Sequence, residues 1–395
     1  MKRWTSSIAL LLTACAPVAV SQSAMPVRTV SSVTQVVPEE MASLDPADSI
    51  LFWDNERRSA AFRDMESLFA GQMVAPAASP RKLPEGAPLT PRTADLARAF
   101  MADTNAVGLM VLRDGEVAFE DYRVGMTDDR RWTSFSVAKS FTSTLLGMAI
   151  AEGKIPSIEA PVTAILPELA NTAYANVTIE QVATMTSGVA WNEDYTDPAS
   201  DVARMLAVEP VPGESQAITY ARTLTRDAEP GDKFTYKTLE TNLLGLIVER
   251  AVGMTLAEYA AQKLVPAVGF DGDLFWMQDL TGGSIGGCCL SLTLADYARF
   301  GQFVLEGGGG TVPEGWFAQA GAERVSFGNG FGYGYQWWTY PGSAFGAQGI
   351  FGQAITIVPE KQLVVAVVSN WATPTSSAHR RALSRLVTTI ANETN

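Results

Sequence analysis

The feature that most constrains this 395-residue chain is a helix-length stretch without charge. Phe141-Thr142-Ser143-Thr144-Leu145-Leu146-Gly147-Met148-Ala149-Ile150 follows directly on Ser136-Val137-Ala138-Lys139-Ser140. A helix expected from about Ser136 to Glu152, stopped by Gly153, has no polar face to offer water, so it must be buried on most sides. The fold therefore needs layers around it. Spacing of three on a helix puts Ser136 and Lys139 on one face, with Lys139 the only charge pointing into that interior. Burial and the positive helix N-terminus both disfavour an ammonium ion there. What remains is an amine able to take a proton from the Ser136 hydroxyl without any histidine. The S-x-x-K pattern is a known nucleophile motif with that logic. Ser79-Pro80-Arg81-Lys82 repeats the spacing, but in the Pro-rich stretch from Pro76 to Pro91, where no helix can hold the lysine over the serine.

Composition removes other classes. With 47% apolar and 18% charged residues the chain is not of disordered type. A net charge of −13, from 29 basic and 42 acidic residues, argues against nucleic acid as a partner. No apolar run approaches the roughly 18 residues of a membrane-spanning helix. One histidine, His379, and three cysteines cannot build a Cys/His zinc site. No metal and no other cofactor is expected, and no signal for an oligomeric state stands out. Any Ser-His-Asp catalyst would have to use His379. Gly282-Gly283-Ser284-Ile285-Gly286 fits G-x-S-x-G, but no apolar strand precedes it and no helix follows at once, as a nucleophile elbow requires. Packing in the first turn of the C-terminal helix explains His379.

The N-terminus reads as an address. Met1-Lys2-Arg3, the apolar Ile8–Leu12 and then Leu12-Thr13-Ala14-Cys15 resemble a bacterial lipoprotein signal over residues 1–14. Cys15 would be lipidated, with membrane contact only through that anchor; an ordinary signal cut near 16–24 is the alternative. Export to the periplasmic side of a bacterial envelope implies an oxidising compartment. Cys288 and Cys289 are adjacent, with Cα atoms about 3.8 Å apart, short for a disulfide. Two buried thiols are expected.

Residues 15–92 read as a tether, to about 47, and a helical arm at 52–70. The compact domain is expected over 93–395. A hairpin is expected at 107–122 about Arg113-Asp114-Gly115. Thr178-Ile179-Glu180-Gln181 and Thr255-Leu256-Ala257-Glu258 are capping boxes. Helices are expected near 178–186, 200–207, 240–252, 255–264 and 293–305. Strands follow at Tyr333–Trp338, Gln353–Val358 and Leu363–Ser369, then a helix from about Thr375 to Ala391. The fold class is α+β: an antiparallel sheet flanked by helices, with a helical insertion at about 155–290 and a site in the cleft between the lobes.

These motifs resemble the serine β-lactamase and penicillin-binding-protein superfamily, in its class C-like branch. Ser136–Lys139 matches the first motif. The second, Tyr-x-Asn introduced by Pro-Gly, stands as Pro230-Gly231-Asp232-Lys233-Phe234-Thr235-Tyr236-Lys237-Thr238, with Thr238 for the usual Asn or Ser. The third, Lys-Thr-Gly or His-x-Gly on an edge strand, stands as Ala347-Gln348-Gly349, with Ala347 where a cation is usual. That departure makes penicillin-type substrates doubtful. With Trp191-Asn192-Glu193-Asp194-Tyr195, the pattern is most similar to the 6-aminohexanoate-dimer hydrolases. The resemblance implies a small-molecule amide or ester substrate and an acyl-enzyme on Ser136. Lys139 and Tyr236 would share the proton work, and Tyr236 would be a base only if nearby positive charge lowers its pKa. The backbone N–H groups of Ser136 and Ile350 would form the oxyanion hole, with Gly349 and Gly352 allowing close approach, and Tyr195 would hold substrate. Glu193, Asp194 and Asp197 read as a solvated acidic loop. The Trp337-Trp338 pair is expected to line the acyl pocket or lie on a half-exposed sheet. Esterase, β-lactamase or D-Ala-D-Ala peptidase action are alternatives within the class. A non-catalytic cell-wall-binding lipoprotein is the alternative outside it.

Overall fold

The computed structural model describes Met1 and residues 32–393; the signal segment, Cys15 and most of the tether lie outside the described residues. Two antiparallel sheets carry the architecture. The larger runs, in spatial order, Glu116–Tyr122, Ala106–Arg113, Leu363–Ser369, Ala354–Val358, Phe345–Gln348, Trp338–Thr339, Phe331–Tyr333 and Val325–Gly328. Its middle strands are apolar throughout because both faces are covered. Val364, Ala366 and Val368 join the main core, while Leu363, Val365 and Val367 face a second cluster under the terminal helices Pro91–Asp103 and Ser377–Ala391. This is the alternation that the strand period demands. The hairpin at 106–122 turns through Asp114 (φ 52°) and Gly115 (φ 83°), the left-handed pair a two-residue hairpin needs.

The smaller sheet corrects the expected domain boundary. Its order is Val33–Val36, Gly71–Val74, Leu274–Met277, Leu290–Thr293 and Arg131–Thr133. Two of its strands come from the stretch read as tether and arm, and two from the edge of the supposedly helical insertion. The arm helix is shorter than expected, Asn55–Ala61 capped by Asp54. Beyond it the chain turns so that Phe62, Met65 and Phe69 enter the main core. There Phe62 packs edge-on against Trp132 and Phe135. The compact unit thus begins near residue 33.

The uncharged helix, Ala138–Ala151, lies at the centre and is buried along almost its whole length. Its hydroxyls each find an acceptor, as buried hydroxyls must. Ser140 and Ser143 donate to the carbonyls of Gln336 and Tyr335, Thr142 to Gly286, and Thr144 to Ser140. Those bonds also explain a correction: Tyr333–Trp338 is not one strand. Gly334–Trp337 loops out between two short strands, with Gln336 at φ 65° and its amide donating to Ala183. Around the helix pack Thr238–Val252, the two capped helices that begin after Thr178 and Thr255, and Leu294–Leu305. Both capping boxes form as read. The helix after Thr255 runs on through a π-turn at Ala260–Leu264 to Val268, ending at Gly269.

Candidate active site

Ser136 lies in a 3-10 turn, Phe135–Val137, one step before the regular helix. Phe135 is held at φ 42°, an uncommon conformation for a bulky residue. It is fixed by an aromatic cluster with Phe62 and Phe351. The turn points Ser136 to the base of the cleft. Lys139 follows one turn on and is 1% exposed. Its Nζ lies 3.2 Å from Ser136 Oγ, 3.0 Å from Thr238 Oγ1 and 2.6 Å from the Gly287 carbonyl.

The directions of these bonds follow from the partners. The Gly287 carbonyl can only accept. The Thr238 hydroxyl gives its proton to the Glu193 carboxylate, so toward Lys139 it also accepts. Two N–H groups of Lys139 are therefore committed. In the neutral amine, the third position, facing Ser136, is the lone pair. Burial pulls the Lys139 pKa down to about 8, with the Glu193 charge opposing.

Glu193 corrects the solvated-loop expectation. Besides the Thr238 hydroxyl it accepts from the Thr238 backbone N–H at 2.9 Å, from the Tyr195 hydroxyl at 2.7 Å and from Trp191 Nε1. The signal was available: Trp191, Glu193 and Tyr195 alternate and share one face of an extended chain. Asp194 and Asp197 do serve as turn residues, capping Thr196 and Ala199.

Tyr236 stacks on Trp338 with centroids 5.6 Å apart, and its ring centre is 5.3 Å from Lys139 Nζ. The lowered phenol pKa required of a base is not found. Burial, then the Glu193 charge, push the phenol well above its ordinary value; hydrogen bonding to Ser136 and the Arg380 charge only oppose this. Tyr236 is a phenol, not a phenolate, at neutral pH. The tryptophan pair splits: Trp338 lines the cleft, while Trp337 is fully buried and stacks on Phe300.

Ile350 borders the same cleft, following strand Phe345–Gln348. Of this strand only Phe345 and Gly346 pair with the neighbouring Trp338–Thr339, so among the described residues the chain from Ala347 onward has a free edge on that side. Gly349 lets it lie against the turn that carries Ser136: a Cβ there would stand 2.5 Å from the Ser134 carbonyl. Among the described residues neither the Ser136 nor the Ile350 N–H has a backbone acceptor. Gly352 has a different reason from the one expected: at φ 102°, a Cβ would strike Trp371.

A cation does reach the cleft, from a place the motif reading does not cover. Arg380, on the C-terminal helix, lines it beside Tyr236 and Gln348. Its guanidinium donates to the Gly349 carbonyl at 2.6 Å and the Gln353 carbonyl at 3.3 Å. Burial lowers its pKa to about 10, with Tyr340 and Tyr236 opposing. His379 beside it packs on Trp371, centroids 5.0 Å apart. Ser284 accepts the Leu256 N–H at 3.1 Å, so the G-x-S-x-G serine is structural. Ser79 and Lys82 are both exposed.

Cys288 and Cys289 form a vicinal disulfide with Cα atoms 3.7 Å apart, in place of two thiols. Cys289 has φ 70°. That left-handed backbone lets consecutive side chains meet instead of pointing to opposite sides.

A serine and a buried lysine one turn apart, beneath the free edge of an antiparallel sheet, define the serine β-lactamase and penicillin-binding-protein class of fold. The chain belongs to the Beta-lactamase family of serine hydrolases, whose model matches residues 93–389. It is 33% identical to a 6-aminohexanoate-dimer hydrolase of Paenarthrobacter ureafaciens over 296 residues, 69% of this chain and 75% of that one. A Bacillus anthracis structure, provisionally named a 6-aminohexanoate-dimer hydrolase, superposes with TM-score 0.73 at 20% identity, covering 90% of this chain and 98% of its own. A class C beta-lactamase superposes at TM-score 0.58 and 16% identity over 77% of this chain and 96% of its own. These likenesses establish the fold.

Proposed function

We propose that the protein cleaves small linear amides, or esters, through an acyl-enzyme on Ser136. The observation that carries this reading is the sealed Ser136–Lys139 contact at 3.2 Å. Lys139 has two N–H groups committed elsewhere and a pKa drawn down to about 8. Its lone pair takes the Ser136 proton as Oγ attacks the carbonyl. The developing oxyanion sits between the free N–H groups of Ser136 and Ile350. Tyr236, still protonated, donates to the leaving nitrogen or oxygen and is reprotonated through Lys139. Tyr195, whose hydroxyl donates its hydrogen bond to Glu193, offers its oxygen as an acceptor to a leaving N–H. Water then attacks the acyl-enzyme, with Lys139 again the base, and releases the acid.

The likeness to a 6-aminohexanoate-dimer hydrolase supports the linear-amide preference. A second reading, β-lactam or D-Ala-D-Ala cleavage, gains from Arg380, which brings to the cleft the positive charge that Ala347 lacks. Export with a lipid anchor on Cys15 remains our proposal for its location; palmitate incorporation should vanish in Cys15→Ser.

The test is a fluorophosphonate probe followed by a substrate panel. Labelling at Ser136, lost in folded Ser136→Ala, supports the hydrolase; no labelling of folded protein favours the non-catalytic binder. Turnover of linear amides with slow hydrolysis of a chromogenic cephalosporin supports the first reading, and the reverse order supports the second.

A further inference from the structure

Ser136 stands between two spaces, both mostly apolar at their surface, that differ in their ionisable side chains. One is the cleft that holds Glu193, Tyr236 and Arg380. The other is a narrow apolar chamber on the far side of Ser136, with a cavity volume of about 80 Å³. Among the described residues, no Asp, Glu, Lys, Arg or His lines the chamber; its polar side chains are hydroxyls. Tyr236, the proton donor for the leaving group, borders the cleft and not the chamber. The leaving group therefore belongs there, and the acyl half of the substrate must enter the chamber.

The far wall comes from Leu44, Ile50, Leu51 and Phe69, facing Val202 and Met205. The first four stand upstream of the family match, which begins at residue 93. The segment they occupy is fixed rather than loosely draped. Asp45 caps a turn at Pro46–Asp48, Trp53 Nε1 donates to the Asp48 carbonyl at 3.0 Å, and Arg57 pairs with Asp48 at 2.9 Å.

We propose that this chamber accepts the acyl half of the substrate as an uncharged hydrocarbon chain, and that residues 44–51 are specificity-determining for it. The proposal rests on the acyl-enzyme reading and departs from a 6-aminohexanoyl substrate at one point. A terminal ammonium would enter a space without a counter-charge, which is costly unless the charge is paired. A methyl-ended chain of the same length gains instead from each methylene removed from water.

The test uses the full chain and p-nitrophenyl esters of acetate, butyrate, hexanoate and 6-aminohexanoate, comparing kcat/KM. Each buried methylene is worth roughly fourfold, so hexanoate should exceed acetate by at least about tenfold. Hexanoate should exceed its ω-ammonium analogue by about a hundredfold. Leu51→Trp fills the chamber and should lower hexanoate turnover at least about tenfold more than acetate turnover. Leu51→Glu should narrow the gap between hexanoate and 6-aminohexanoate. Leu51 is only half-buried, and the ratio of two esters is read within one variant, so partial misfolding cancels. If acetate is hydrolysed in a Ser136-dependent way but chain length has no effect, or the ammonium ester is preferred, the chamber proposal falls and the hydrolase reading stands. If no ester is turned over by Ser136, the hydrolase reading itself falls.

Discussion

Among the described residues two lysines are sealed in the interior, and in the proposed mechanism only one of them serves as a base. Lys139 is 1% exposed and Lys237 is 0%. Both stand at the start of a helix of the same core, Ala138–Ala151 and Thr238–Val252. Lys237 has a carboxylate at 3.3 Å, Glu240 one turn along its own helix, and donates to the Thr235 carbonyl. Among the described residues Lys139 has no carboxylate in contact; it meets two hydroxyls and a carbonyl. The nearest negative charge, Glu193, reaches it through Thr238. Lys237 thus has a direct counter-ion within its own stretch of chain. A buried amine beside neutral dipoles loses its proton near neutrality and becomes a reagent.

The same substitution at both lysines should separate these roles. Lys139→Met should lower kcat/KM by about 10²–10⁴-fold, the range for loss of a general base, while the urea midpoint stays near the parent's. Lys237→Met should do the opposite. It leaves Glu240 buried without its partner, at about 3–5 kcal/mol of stability, while protein that remains folded keeps its turnover. Burial already raises the Glu240 pKa to about 7, against the pull of Lys237. The double change Lys237→Met with Glu240→Leu should therefore recover most of the loss. If Lys139→Met unfolds the protein and Lys237→Met silences it, the comparison is reversed and the assignment is wrong.

A pH profile sharpens the contrast further. Lys139 must be neutral to accept a proton, and its pKa is about 8. The rate should climb about tenfold per pH unit below 8 and flatten above it. Glu193 is the charge that holds this value up. Glu193→Gln should move the midpoint to lower pH, with some loss of rate because Thr238 loses its acceptor. An unmoved or raised midpoint would mean that Glu193 does not act on Lys139 through its charge. The smallest effect expected is at the wall: Cys288→Ser with Cys289→Ser should change the ratio between long and short acyl chains more than it changes acetate turnover.

Much of the scaffold was legible because its signals are short-range. The Asp114-Gly115 turn, the two capping boxes, the apolar strand at 363–369 and the uncharged helix each state their requirement within a few residues. The arm helix, the Tyr333–Trp338 strand and the start of the compact unit were misread because tertiary partners overrode local pattern. Phe62 entered the aromatic cluster, Ser140 and Ser143 captured the carbonyls of Gln336 and Tyr335, and Val33–Val36 found Gly71–Val74. At the site, Ser136, Lys139 and Tyr236 were visible as motifs. Glu193 was hidden in a loop that composition alone makes look solvated. Arg380 was hidden on a helix whose inward face only packing reveals.

The order of residues by itself determined that a hydroxyl and an amine share one helical turn in an interior without other charge, because helix geometry fixes that pairing wherever the helix forms. Which proton that amine gives up, and to what, was decided by the tertiary structure. Gly287 lies 148 residues away from Lys139 along the chain and Thr238 lies 99. Their oxygens reach Nζ only after folding removes the water that would otherwise solvate an ammonium ion.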